Sequence, residues 1–123
     1  MFLLYLAALL TIGVGLVHSI LGERYIISRL PREEGMPRLL GSRTFTFLTL
    51  RFAWHITTIA WFGFAAILVL MAHGALTRQN LAMVIAATFL LSGLITLVVS
   101  RGRHFAWIVF LAIGAIASYE ATL

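Results

Sequence analysis

Ionisable side chains are few in this chain, and those that could do chemistry stand within or at the edges of long apolar runs. They are His18, Arg51, His55 and His104, with Glu23 just beyond the first run. Charged and titratable groups inside a lipid layer are costly to hold there, so their presence points to function. Neutral imidazole is a ligand for zinc, copper or iron, and three histidines, with Glu23 as a weaker fourth donor, would suffice for a metal site with an open position. Two histidines on neighbouring helices at similar depth, with an arginine to pair with propionates, are the minimum for a haem, and His18, His55 and Arg51 meet it. The same groups without a cofactor could bind a quinone headgroup, a small anion or a lipid phosphate, or relay protons, because histidine changes charge near neutral pH.

Depth and helical face decide which of these residues can meet. His18 lies three residues before the end of the first apolar run, and His55 four residues after Arg51. At about 1.5 Å per residue both are roughly 5–6 Å inside the same membrane face, and His104 opens the last run on that side. His73 falls at the opposite end. Thr11, Gly15, His18 and Gly22 share one helical stripe; Arg51, His55, Thr58 and Phe62 share another; His104, Trp107, Leu111, Gly114 and Ser118 a third. Small residues let membrane helices approach, so the first and third stripes are expected to face inward. Glu23 is five residues from His18, well off its face. Trp54, Trp61, Trp107 and Tyr25 also suit an interfacial aromatic belt, and His104 beside Arg103 suits headgroup contact. Thr57, Thr58, Thr88, Ser92 and Thr96 are expected to bond their own helix backbone.

The elements that must carry these residues follow from hydropathy. The 123 residues are 62% hydrophobic and 11% charged, with mean hydropathy +1.05. Soluble domains are nearer half apolar and a quarter charged, and a chain this small has no interior large enough to hide the excess. Four runs approach the roughly 20 residues a spanning helix needs: about 2–21, 52–71, 81–99 and 105–122. The expectation is a single all-α domain over 1–123, a polytopic four-helix transmembrane bundle running up-down-up-down. Arg24, Arg29, Arg32, Arg38 and Arg43 lie between the first two runs and Arg101 and Arg103 between the last two, whereas the middle turn holds Arg78 alone. The positive-inside rule then puts the first connection, about 22–51, and the third in the cytoplasm, with both termini outside, as in a bacterial inner membrane. The first run lacks a basic leader and a small-residue cleavage pattern and reads as a retained helix. Pro31, Gly35, Pro37 and Gly41 break the long connection; residues 25–30 suit the membrane surface, and Ser42 is a candidate N-cap that would start the second helix early.

A faint repeat runs through the chain. Residues 9–19 align without gaps to 90–100, and Phe52-Ala53-Trp54 recurs as Phe105-Ala106-Trp107. A duplication would leave His18 matched by Val99 and His55 by Ile108, so the first half alone would carry the chemistry.

Composition excludes several classes. The net charge of +5 is carried by arginines in the gaps between apolar runs, which suits anionic lipid headgroups rather than nucleic acid. Cysteine and aspartate are absent, which removes disulfides, thiol catalysis and paired intramembrane carboxylates, and no phosphate loop, serine elbow or dinucleotide fingerprint occurs. The expected function is a small integral membrane protein with a His/Arg site, His18, His55, Arg51 and His104, near the cytoplasmic face, binding a metal ion, haem or another small ligand. Two alternatives stand beside it: an oligomeric transporter, since four helices do not enclose a pore alone, and a structural subunit of a larger membrane complex.

Overall fold

The computed structural model describes residues 1–123. Four α-helices make up nearly all of it: α1 (Phe2–Tyr25), α2 (Arg43–Ala72), α3 (Arg78–Val99) and α4 (Ala106–Thr122), with a 3₁₀ segment, Ile27–Arg32, between the first two. Two of the helices, α2 and α3, begin on side-chain caps. Ser42 caps α2, its side chain accepting from the Phe45 N–H at 3.1 Å, and Thr77 caps α3 in the same way through the Asn80 N–H. These hydroxyls satisfy donors that the first helical turn leaves free. The early start makes α2 30 residues long, about 45 Å, so it exceeds the roughly 30 Å of a bilayer's hydrocarbon core. Its far end closes on Gly74, whose φ of +65° lets the Ala75 N–H reach back to the Leu70 carbonyl at 2.9 Å. The α3–α4 turn has the same geometry with Arg101, not glycine, at φ +54°.

Length and composition make α1 to α3 capable of crossing a membrane; α4, at 17 residues, is shorter. Burial is inverted relative to a soluble protein. Only 16 of the 123 residues are buried, and the buried apolar set is dominated by alanines at positions 8, 65, 72 and 86. Leucines, isoleucines and phenylalanines face outward along every helix, while Thr46, Thr58, Ser92, Thr96 and Ser100 are buried. This is the pattern of helices that pack through small and hydroxyl residues and leave bulky side chains for an apolar solvent.

The helices pack as a row rather than around one common axis: α1 on α2, α2 on α3, α3 on α4, with no close backbone approach of α1 to α3 or α4. Glycines set the crossings. Gly22 admits the indole of Trp54 and Gly15 the ring of Phe62; a Cβ on Gly22 would lie 2.1 Å from the indole nitrogen. Gly93 and Gly114 admit Leu111 and Leu90, where an added Cβ would also meet the partner backbone nitrogens at 3.1 and 3.0 Å. The α1–α2 pairs (Tyr5 with His73, Gly15 with Phe62, Gly22 with Trp54) and the α3–α4 pairs (Leu90 with Gly114, Gly93 with Leu111) run in opposite chain directions. The long connection is tied down by Ile27, 2% exposed in the contact between the 3₁₀ segment and α2, and by Arg24 and Arg29, which lie over the Tyr25 ring.

Candidate functional site

A continuous set of polar contacts crosses from α1 to α2, running from Glu23 near the end of α1 to Gly15 and Thr58 at the middle of the two helices. On α2, Arg51, His55 and Thr58 share a face at i, i+4 and i+7, as their spacing requires. On α1 the matching face is Gly15, Ser19 and Glu23, one residue at each successive turn. The Arg51 guanidinium pairs with Glu23 through two hydrogen bonds, Nη2 to Oε1 and Nε to Oε2. The His55 ring bridges two residues of α1: Nε2 to Glu23 Oε2 at 2.8 Å and Nδ1 to Ser19 Oγ at 3.0 Å. Ser19 Oγ lies 2.7 Å from Thr58 Oγ1, and the Thr58 hydroxyl donates to the Gly15 carbonyl at 3.3 Å.

The bonding rules allow this chain two directions. An ionised carboxylate only accepts, so His55 Nε2–H donates to Glu23. In the neutral ring Nδ1 then accepts from the Ser19 hydroxyl, which in turn accepts from Thr58. When the ring carries both protons, Nδ1–H donates to Ser19, Ser19 donates to Thr58, and Thr58 turns its proton to the Gly15 carbonyl. One proton gained or lost at His55 therefore reverses every hydroxyl as far as the α1 backbone. Glu23 and His55 remain partly accessible, with side chains 28% and 23% exposed, and Arg51 is 41% exposed.

The structure divides the expected site. His18 does not join His55. It lies flat on Trp54 with ring centroids 4.4 Å apart and planes 4° from parallel. Its Nε2–H donates to the Trp54 carbonyl at 3.2 Å, while the Trp54 indole N–H donates to the His18 carbonyl at 2.9 Å. Trp61, two turns along α2 from Trp54, closes over the same ring at 4.9 Å. His18 is thus one half of a reciprocal clasp on the other flank of the α1–α2 seam, a consequence of its lying one residue, about 100° of helix, from Ser19. His104 is farther away. It stacks on Phe45 and meets Phe52 edge-on, and its Nδ1 accepts from the Ala106 N–H at 3.2 Å at the start of α4. Phe45 and Phe52 are seven residues apart on a face of α2 turned away from α1, so a three-imidazole centre does not form.

The metal and haem readings do not fit this arrangement. No three histidine or carboxylate side chains converge as a metal site would need. Both ring nitrogens of His55 are engaged, His18 and His55 point to opposite flanks, and no cavity is lined by either ring. The gap for a flat macrocycle beside Gly15 and Gly22 is filled by Phe62 and Trp54.

Glu23 is thus a central member of the cluster rather than a weak fourth donor, and Ser19 joins it without having been a candidate. The sign was present: Glu23 lies five residues from His18 but four from Ser19, and that second spacing puts it on one face with a hydroxyl. Thr58 was expected to bond its own helix, as Thr57, Thr88, Ser92 and Thr96 do. It bonds across to α1 instead, because Gly15 leaves its carbonyl uncovered by any side chain. At the other end of the seam Tyr5 and His73 share a hydrogen bond at 3.0 Å, and Arg78 on α3 pairs with Glu120 on α4. No known protein family, characterised protein or solved structure matches this chain.

Proposed function

We propose that this chain is an integral membrane protein of four spans, up-down-up-down, and that the Glu23–Arg51–His55–Ser19–Thr58 cluster is a proton-exchanging site for a small polar ligand near the cytoplasmic face. The arginine distribution supports the sidedness. Although short, α4 covers about 26 Å, close to the hydrocarbon thickness.

The observation that carries the function is the reversible hydrogen-bond chain from Glu23 through His55 and Ser19 to Thr58. A purely structural cross-link needs no titratable ring at its centre. An imidazole between a carboxylate and a hydroxyl can take a proton at one nitrogen and release one at the other. In this reading His55 takes up and releases the proton, Glu23 stays ionised beside Arg51 and orients the ring, and Ser19 and Thr58 reset the chain. His18 serves the site indirectly, by fixing the spacing of α1 and α2.

Nitrogen chemical shifts of histidine-labelled protein in nanodiscs test this directly, because they distinguish a neutral imidazole from an imidazolium. On acidification the His55 signals should pass from the neutral ring protonated at Nε2 to the imidazolium. Glu23→Gln should move that transition to lower pH, because it removes the carboxylate that favours the charged ring, and His73→Gln should leave it unchanged. A His55 ring that keeps one protonation state throughout, or a transition that ignores Glu23, would refute proton exchange at this pair.

A further inference from the structure

The long connection gathers two of its arginines at one place. The Arg24 guanidinium lies over the Tyr25 ring, 5.4 Å from its centroid, and that of Arg29 lies over the same ring at 5.8 Å. Arg24 stands in the last turn of α1, where the carbonyl end of a helix favours a cation, and that alone accounts for it. Arg29 has no such reason. It belongs to the 3₁₀ segment, which starts one residue past α1 and is anchored by Ile27, 2% exposed in its contact with α2. The Ser28 hydroxyl donates to the Arg24 carbonyl at 3.0 Å and ties the two segments together. Two like charges are thus held about one ring, where they repel each other. No carboxylate compensates them. The ion pairs of the molecule use Arg51, His55 and Arg78, and the neighbouring Glu23 is taken by Arg51 and His55.

Depth identifies what would neutralise them. Tyr5, bonded to His73 at the far end of the seam, and Tyr25 are 20 residues apart on α1. That is about 30 Å of helix, the thickness of a hydrocarbon core. With Tyr5 at one edge, the Tyr25 ring lies at the other, among headgroups, where tyrosine is favoured. Below it on the same stripe of α1, Leu21 and Val14 are 47% and 53% exposed, turned away from protein as contact with acyl chains requires. Two uncompensated cations above an apolar stripe are complementary to an amphiphile with an anionic head. Guanidinium groups take phosphate oxygens through paired N–H donors. A zwitterionic head would bring a cation of its own toward the arginines.

We propose that Arg24 and Arg29 hold the phosphate of an anionic phospholipid in the leaflet beside the long connection, with its acyl chains along Leu21 and Val14. This rests on the membrane-spanning reading of the chain and is independent of proton exchange at His55, since the two sites share no residue.

The test uses the full chain in detergent micelles, mixed with phosphatidylglycerol or phosphatidylcholine and read by native mass spectrometry. Phosphatidylglycerol should saturate at one tightly held lipid per chain, and phosphatidylcholine should bind about tenfold more weakly. Arg24→Gln and Arg29→Gln should each weaken phosphatidylglycerol about tenfold, the loss expected when a hydrogen bond between charged groups is removed. Arg38→Gln takes the same charge from the same connection, outside the Tyr25 cluster, and should bind as wild type. An Arg38 variant as weak as the other two would overturn the site, because net charge alone would then attract the lipid. So would displacement of the lipid by inorganic phosphate at equal concentration, which would make free phosphate the ligand. Equal binding of the two lipids would refute the site and leave the membrane reading in place; a chain that stays dispersed without detergent and retains neither lipid would refute both.

Discussion

The α1–α2 and α3–α4 hairpins solve the same packing problem with different side chains. In α3–α4 the hydroxyls turn back on their own helices: Thr88, Ser92, Thr96 and Ser118 each bond the carbonyl four residues earlier, at 2.7–2.8 Å. Its close approach comes from Gly93 under Leu111 and Gly114 under Leu90, and its one charged cross-link, Arg78–Glu120, lies at the helix ends with side chains 75% and 46% exposed. In α1–α2 the polar groups reach across the seam, and a carboxylate, a guanidinium, an imidazole and two hydroxyls join into one network. Away from the helix ends, hydrocarbon and glycine alone join α3 to α4. The network in α1–α2 is therefore more than packing requires. If the halves descend from a duplication, the second retains the packing alone, with Val99 and Ile108 standing where the first has His18 and His55.

Breaking each hairpin by its own logic sharpens this contrast. The largest effect belongs to the glycines of α3–α4. Gly93→Val or Gly114→Val drives a branched side chain into a leucine and toward the facing backbone, and should cost about 3 kcal/mol of stability, measured by steric trapping in bicelles. Tolerance within about 0.5 kcal/mol would mean that the close approach does not hold this hairpin.

Glu23→Ala comes next. It leaves Arg51 and His55 in a half-buried position without their shared partner, and should cost about 2 kcal/mol, below the range for fully buried pairs because water still reaches the site. Glu120→Ala, at the exposed pair, should stay within about 0.5 kcal/mol. Equal losses in the same assay would erase the distinction between network and surface pair.

The smallest effect compares hydroxyls. Thr58→Val removes two contacts to α1 and should cost about 1 kcal/mol, whereas Thr96→Val loses one bond to its own helix and should cost about 0.5 kcal/mol or less. A reversed order would place the polar linkage in the wrong hairpin.

Helix identity and limits were largely legible in the sequence, because hydropathy and capping are local properties. Ser42 before the second run marks the true start of α2, nine residues ahead of its apolar stretch. The stripe Arg51–His55–Thr58 was also legible, since residues on one helix keep their relative angles whatever the helix packs against. The partners were not. Periodicity fixes which residues share a face, but not which face turns toward which neighbour.

The sequence by itself determined an all-helical, lipid-suited chain, the placement of its ionisable groups near the edges of its apolar runs, and the asymmetry between its halves. The tertiary structure alone decided the rotation of α1 against α2. That rotation sends His18 to Trp54 and brings Ser19 and Glu23 to His55, and it leaves His104 among the phenylalanines of another face. The physical reason lies in Gly22 and Gly15: where no side chain stands, the bulky rings of Trp54 and Phe62 seat themselves, and their seating fixes the angle at which every other residue on the two helices meets.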